Sequence, residues 1–101
     1  MNRSLPDYDL IELRLLHYLA AHGASRPSDV YGPLADDFSL TPVQYNAKLE
    51  DGRRAWNNRV QWARKALKDK GYLKDRPRIW ELSPKGHEAA ELLDSIVVSI
   101  D

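Results

Sequence analysis

The 101-residue sequence contains no cysteine, and only one methionine and one phenylalanine. The absence of cysteine excludes disulfides and thiolate metal sites, and it fits a protein of the reducing cytoplasm. No apolar run approaches the roughly 20 residues that span a bilayer, and no basic segment with an apolar stretch behind it predicts a signal peptide. With 43% hydrophobic and 30% charged residues, we expect one soluble globular domain over residues 1–101, with an ordered core over 7–95.

Positive charge is scarce outside one segment of the chain. The net charge of the whole sequence is nevertheless zero. Ten of the fifteen basic residues lie within residues 53–78, where the acidic residues are Asp69 and Asp75, so this segment carries +8. The segments before and after it each carry −4. A cationic surface of this kind favours a polyanionic partner, even at a pI of about 6.8.

Two helices are predicted in the first part of the chain. Apolar residues recur at helical spacing over residues 7–22, and Gly23 is expected to end this helix. A second helix is expected over residues 27–38. Gly32 and Pro33 should kink or split it, because proline removes a backbone donor inside a helix.

A third, short helix and a long fourth helix follow. Residues 41–44 (Thr-Pro-Val-Gln) have the form of a capping box, which predicts a helix start at Pro42. Residues 48–52 are predicted to be a polar loop. The long helix is expected over residues 54–70 and should end at Gly71.

The last part of the chain predicts a hairpin and a final helix. Two short aromatic-rich strands, 72–74 and 79–82, flank a basic loop over residues 75–78. Ser83 and Pro84 form an N-cap and first helical position for a helix to about residue 95. The predicted fold is therefore mainly α with a small β-hairpin: a winged helix-turn-helix of three helices, a two-stranded wing and a C-terminal helix.

The long helix is amphipathic. At 100° per residue, the stripe predicted to be buried consists of Trp56, Val60, Ala63 and Leu67. The opposite face consists almost entirely of hydrogen-bond donors and cations, namely Asn57, Asn58, Gln61, Arg64, Lys65 and Lys68. Solvated helices usually alternate charge sign, whereas Arg64 and Lys68 are like charges four residues apart. This pattern favours nucleic-acid binding over a merely solvated face.

Each residue type on this face has a partner in DNA. The amides of Asn57, Asn58 and Gln61 can pair with adenine, and Arg64 with guanine or a phosphate. Lys65 and Lys68 are placed for phosphates, and the basic loop for the minor groove or its backbone. The candidate DNA-binding residues are Arg53, Arg54, Asn57, Asn58, Gln61, Arg64, Lys65, Lys68, Lys74, Arg76 and Arg78.

Four residues in this region are predicted to be structural or marginal. Arg59 projects toward the core, where a guanidinium paired with an acid and a backbone carbonyl is expected, with a DNA contact as the alternative. Trp56 and Trp80 lie at inward positions and are expected in the core. Trp62 lies at the edge of the buried sector and is expected to be partly exposed.

Patterns that support catalysis are missing from the sequence. No lysine has Asp, Glu or Gln two positions before it, so the acid-x-lysine motif of restriction-type nucleases is absent. His17 and His22 lie about 140° apart around a helix and cannot share a metal. No glycine-rich phosphate loop is present. We expect no enzymatic activity, no metal and no cofactor.

Residues 56–86 carry a family pattern. Trp56-Asn57-Asn58-Arg59-Val60-Gln61-Trp62-Ala63 is followed by Leu67, Gly71-Tyr72-Leu73, Trp80-Glu81-Leu82-Ser83 and Gly86. This pattern resembles the N-terminal domain of Mrr-type restriction proteins. The resemblance implies a winged helix that reads double-stranded DNA, typically with modified bases, and a separate C-terminal nuclease domain that cuts it.

The sequence therefore predicts the DNA-recognition module of an Mrr-like, modification-dependent restriction system. The apolar ending over residues 96–101 favours a linker to a further domain. A stand-alone winged-helix transcription regulator is the alternative within DNA binding. A protein-interaction winged helix, whose basic face meets an acidic partner, is the alternative of another class.

Overall fold

Five α-helices make up most of the chain, as predicted. The computed structural model describes residues 5–100, and side chains over residues 5–92. The helices are α1 (Tyr8–His22), α2 (Pro27–Asp37), α3 (Pro42–Asn46), α4 (Ala55–Asp69) and α5 (Pro84–Ile100). Within the described residues, no helix has the length and apolar character needed to cross a bilayer.

The hydrophobic core lies between α1 and α4, which pack most extensively against each other. The predicted α4 stripe is confirmed, because Trp56, Val60, Ala63 and Leu67 are at most 1% exposed. From α1, the buried side chains are Ile11, Leu15, Leu16 and Leu19. Burying one apolar stripe of α4 turns its polar face outward, and this sets the orientation of the candidate site.

Helix α1 ends where the sequence predicts. Gly23 has a φ of 79°, which favours glycine, and its N–H donates to the Leu19 carbonyl at 2.9 Å. Helix α4 ends in the same way before Gly71, whose φ is 83°.

The predicted split of the second helix is wrong. Helix α2 runs through Gly32 and Pro33 without interruption. Pro33 cannot donate to the carbonyl of Asp29, and the Tyr18 hydroxyl donates to that oxygen at 3.4 Å instead. A contact from α1 therefore replaces the backbone donor that proline removes.

The capping box before α3 is confirmed. The Thr41 hydroxyl accepts from the Gln44 N–H at 3.1 Å, and the Gln44 side chain accepts from the Thr41 N–H at 2.8 Å. The following polar loop is more ordered than predicted. Lys48 and Arg54 form an antiparallel bridge around a tight turn, in which Gly52 has a φ of 90°. This turn brings the chain directly into α4.

Three segments are joined by antiparallel bridges. Leu73 pairs with Leu82, and Lys74 donates to the Glu81 carbonyl at 2.9 Å. Trp80 also pairs with Ser25, through backbone hydrogen bonds of 2.8 and 3.0 Å. The two predicted strands, 72–74 and 79–82, are joined by the single bridge between Leu73 and Leu82. The pairing of Trp80 with Ser25 was not predicted. Residues 79–83 therefore lie between Ser25 and residues 72–74.

The start of α5 is confirmed, and its end is not. The Ser83 hydroxyl accepts from the Gly86 N–H at 3.1 Å, as expected for an N-cap. The helix continues to residue 100, beyond the predicted end near residue 95, because no glycine or proline follows Gly86 to stop it.

Candidate nucleic-acid interface

The polar face of α4 is the centre of the candidate site. Its helix begins after Arg54 with no side-chain cap and no acid in the first turn. Anions are therefore favoured at this end, where the helix dipole and two arginines add their positive charge. Gln61, Lys65 and Lys68 are exposed, while Asn57, Asn58 and Arg64 are half-buried.

Two rows of side chains make up this face. Asn57, Gln61, Arg64 and Lys68 lie within about 60° of one another around the helix axis, and we call them the inner row. The second row contains Asn58, Trp62, Lys65 and Asp69. The inner row faces α2 and residues 73–80, because Gln61 contacts α2 and Arg64 and Lys68 line a cleft against residues 73–80.

Tyr31 of α2 positions the inner row, and the sequence did not predict this role. Its hydroxyl accepts from the Gln61 amide at 2.8 Å, and its carbonyl accepts from the Trp56 indole N–H at 2.9 Å. The Tyr31 ring also meets the Trp80 ring edge-to-face at 6.1 Å. One tyrosine thus links α2, α4 and the bridged segments. No spacing rule connects residues 30 positions apart.

Two predicted site residues at the start of α4 are less available to a ligand than the sequence suggests. The Arg54 guanidinium lies over the Tyr45 ring at 4.7 Å and donates to the Asn46 side chain at 3.2 Å. Asn57 has a buried Oδ1 with no hydrogen-bond partner in the described part of the chain. Arg54 therefore helps attach α3 to α4, and Asn57 is less accessible than a fully exposed amide.

Arg59 has the predicted structural role and the predicted backbone carbonyl partner, but an aromatic ring stands where an acid was expected. Its guanidinium lies over the Tyr8 ring at 4.4 Å and donates to the Pro6 carbonyl at 3.3 Å. The expected acid is replaced by an aromatic ring, which attracts a cation through its negative face. Arg59 therefore holds the segment before α1 against α4.

The tryptophans follow the predictions. Trp56 is fully buried and Trp80 is 7% exposed, so both belong to the core. Trp62 is 54% exposed. It borders a shallow hollow on the polar face of α4 together with Asn58 and Lys65, where a flat apolar surface is available to a ligand.

Five of the predicted site cations form ion pairs with acids. These pairs are Arg53–Asp51 (2.8 Å), Lys65–Asp69 (3.6 Å), Lys68–Asp75 (3.3 Å), Lys74–Glu81 (3.2 Å) and Arg76–Glu81 (2.7 Å). Sequence counting included Asp69 and Asp75 in the basic segment but did not show which cations they contact. Their cations are half-exposed or more, so each pair adds little stability and can exchange for another anion.

Three ionisable groups have shifted pKa values. Hydrogen bonds from Arg76 and then Lys74 hold the pKa of the Glu81 carboxyl below its ordinary value. The Arg53 backbone N–H, followed by its side chain, lowers the pKa of Asp51. A hydrogen bond to Glu12 raises the pKa of Lys70. Each of these shifts favours the charged form of the group concerned.

Arg64 and Arg78 differ from the paired cations. Within the described residues neither has a carboxylate within 4.0 Å, and the Arg64 Nε is buried without a hydrogen-bond partner. Arg78 has a φ of 63°, in the left-handed backbone region that residues other than glycine seldom adopt. Strained residues of this kind are often found where a side chain contacts a ligand.

A cleft of about 300 Å³ separates α4 from the basic loop. Its walls carry five cations, namely Arg64, Lys68, Lys74, Arg76 and Arg78. Leu73, Pro77, Ile79 and Trp80 supply the apolar part of the lining, and Asp75 is its acid. The structure therefore brings the predicted helix and loop cations to one concave surface.

Hydrogen-bond donors and cations predominate on this surface. Over the residues that the structure describes, no group of three or more histidine, aspartate or glutamate side chains can hold a metal ion. Guanidinium, ammonium and amide groups supply hydrogen-bond donors at fixed positions, which suits phosphates and base edges.

Comparison with known protein families gives a match over most of the chain. A family model described as the Mrr N-terminal domain matches residues 8–91. This span includes α1 to α4, the basic loop and the first half of α5. No curated protein and no solved structure matches the chain.

Proposed function

The chain belongs to the family of Mrr N-terminal domains, and from this premise we propose that it binds double-stranded DNA as the recognition module of an Mrr-like restriction system. The observation that carries the proposal is the face of α4, where amides and cations stand together without an acid in the first turn. Bases and phosphates are both recognised by such donors.

The order of the elements supports a winged-helix arrangement. Helix α4 follows α2 and the short α3, and two bridged segments with a turn between them follow α4. The central segment, residues 79–83, pairs with residue 25 on one side and residue 73 on the other. In this proposal α4 enters the major groove, and the basic loop is the wing.

Reading of the bases falls to the N-terminal half of α4. Gln61 is exposed, and its contact with the Tyr31 hydroxyl uses one of its two amide hydrogens. Its oxygen and second hydrogen remain available for an adenine, the usual partner of a glutamine in the major groove. Asn58 and the less accessible Asn57 extend the same surface.

Phosphate contacts fall to Arg53, Lys65, Lys68 and the loop residues Arg76 and Arg78. The first four pair with carboxylates in the free protein, and these exposed pairs can be exchanged for phosphates at small cost. Arg78 projects from the exposed loop without such a partner in the described region. It suits a contact with the adjacent minor groove or its backbone.

An acidic protein partner is the competing proposal of another class, and a direct comparison separates it. Fluorescence anisotropy should give tighter binding to a 20-base-pair duplex than to polyglutamate of equal charge, because amides and fixed guanidiniums match DNA beyond its charge. Equal or tighter binding to polyglutamate would favour the protein partner.

A modified base is the finer part of the proposal. Matched duplexes containing methyladenine, methylcytosine or no modification should differ in affinity if α4 reads a modified site. Equal affinity for all three would favour the stand-alone transcription regulator instead.

We also propose that the 101 residues bind DNA without cutting it. A basic face stabilises bound DNA in the ground and transition states alike, so it does not accelerate hydrolysis. Supercoiled plasmid incubated with the protein and Mg²⁺ or Mn²⁺ should stay intact. Nicking that Arg64→Ala abolishes would show an active site in this chain, instead of in a C-terminal nuclease domain of a longer parent protein.

A further inference from the structure

We propose that the cleft between α4 and the basic loop is a binding site for a single phosphate group, held by Arg64 and Arg78, with Asp75 occupying the entrance when the site is empty. Under the proposed function, on which this inference rests for its natural ligand, the phosphate belongs to the DNA backbone. The same chemistry would also bind a free oligophosphate.

The charge around the cleft is not balanced by the protein. Five cations line it, whereas the carboxylates in contact with those cations are Asp75 and Glu81. Three positive charges remain in a space of about 300 Å³. A concave surface with one sign of charge concentrates field lines and attracts an anion.

Arg64 is the residue that suits a phosphate best. It comes from the middle of α4, a rigid element, and it is half-buried. Its buried Nε has no hydrogen-bond partner in the described residues, although buried donors are nearly always paired. Because the Nε itself is closed to solvent, a phosphate in the cleft would contact the rest of the guanidinium, whose N–H groups form a fork that matches phosphate.

Arg78 lines the same cleft from the basic loop. Its positive φ fixes the backbone at the end of the basic loop, next to the half-buried Ile79. The bridges at Leu73 and at Trp80 attach both ends of this loop to the fold. Arginines from two separate elements thus line one space, and two guanidiniums can bind one phosphate there.

Asp75 acts as an internal competitor for the site. Its carboxylate lies 3.3 Å from the Lys68 Nζ, and its side chain is 92% exposed. A carboxylate and a phosphate make the same kind of contact with an ammonium group. Removing the Asp75 charge should therefore strengthen phosphate binding, whereas an Asp75 with a purely structural role would not have this effect.

Titration with inorganic pyrophosphate, followed by amide NMR, tests the site without DNA. We expect shifts in the residues that line the cleft, at α4 and in residues 73–80. Arg64→Gln should weaken the affinity about tenfold, and Asp75→Asn should strengthen it about two- to fivefold. Lys85→Gln is the matched control, since Lys85 lies over the Tyr72 ring, away from the cleft.

The outcomes separate this site from a general basic surface. No shifts at 10 mM pyrophosphate, or shifts confined to the start of α4, would overturn the proposal. An Arg64→Gln affinity equal to that of Lys85→Gln would overturn it as well. Arg78→Ala, in an exposed loop, provides a second weakening variant if Arg64→Gln fails to fold.

A second experiment, with DNA, distinguishes a phosphate of the DNA backbone from a free oligophosphate as the natural ligand. Backbone phosphates are replaced one at a time by uncharged methylphosphonates. At one position the replacement should weaken DNA binding by wild type, but it should have little effect on binding by Arg64→Gln, which already lacks the contact. DNA binding without such a position would overturn the cleft site and leave the proposed function standing. Pyrophosphate binding in a protein that does not bind DNA would keep the site and overturn the proposed function.

Discussion

Arg78 combines a strained backbone with an exposed cationic side chain. A left-handed residue with a Cβ costs about 1 kcal/mol relative to glycine. We therefore expect Arg78→Gly to be more stable than Arg78→Ala by about 1 kcal/mol, while both lose the same DNA affinity. Urea unfolding and anisotropy measure the two quantities. Equal stability of the two variants would contradict the backbone strain, and unchanged DNA affinity would remove Arg78 from the site.

Glu81 makes part of the stability depend on pH. Arg76 and Lys74 hold its pKa below the ordinary value in the folded protein. A lowered carboxyl pKa stabilises the folded state above the ordinary pKa, and this stabilisation is lost as the pH falls through the lower value. We expect wild type to exceed Glu81→Gln in unfolding free energy at pH 7, and the difference to shrink below about pH 4. A difference that stays constant from pH 7 to pH 3 would contradict the ion pairs.

Substitutions in the two rows of α4 should have different effects on DNA binding. Gln61→Ala should cost about 1–3 kcal/mol on a preferred sequence and little on others. Lys65→Ala should weaken all duplexes alike and flatten the log–log salt slope by about one unit. Anisotropy over several sequences and salt concentrations gives both values. Equal losses on every sequence would mean that α4 lies along the backbone and does not read bases.

Two helical glycines make a matched test of packing. A Cβ on Gly86 of α5 would overlap the Tyr72 carbonyl, whereas a Cβ on Gly32 of α2 would meet its nearest neighbour, the Tyr45 hydroxyl, at 3.9 Å. Gly86→Ala should therefore destabilise by about 1–3 kcal/mol through the displaced backbone. Gly32→Ala should stabilise by up to about 1 kcal/mol through helix propensity. Thermal unfolding of both variants is the measurement, and a stabilising Gly86→Ala would contradict the close approach of α5.

Local patterns predicted the helices well because their signals lie within a few residues. The α4 stripe, the Thr41 capping box and the glycine at the end of α1 are all confirmed. The split of α2 and the end of α5 near residue 95 were predicted wrongly. In α2, the carbonyl that Pro33 leaves without a backbone donor accepts from the Tyr18 hydroxyl of α1, and no local rule includes that contact.

Long-range contacts in the candidate site could not be predicted for the same reason. The sequence identified which residues are cationic, but not that Glu81 holds both Lys74 and Arg76. It also missed Tyr31, which positions Gln61 across 30 residues. Burial of the α4 stripe could be predicted, and with it the face that points outward. The partners of that face depend on the tertiary fold.

At the scale of the whole molecule, opposite charges are separated in sequence and brought partly together in space. The acidic residues Glu12, Asp51 and Glu81 pair with cations of the basic segment, and so do Asp69 and Asp75 within it. The net charge of zero therefore conceals a cationic cleft and helix face. Under the proposed function, this distribution lets a protein of zero net charge attract DNA.

The salt dependence of binding to duplex DNA tests the central claim most directly. If the basic surface neutralises about four to six phosphates, the slope of log affinity against log salt concentration should be near −4 to −5. Anisotropy from 50 to 200 mM salt on a random duplex is the measurement. A slope of that size is the result we expect, whereas a slope near zero, or no binding at 50 mM salt, would contradict DNA recognition by this domain.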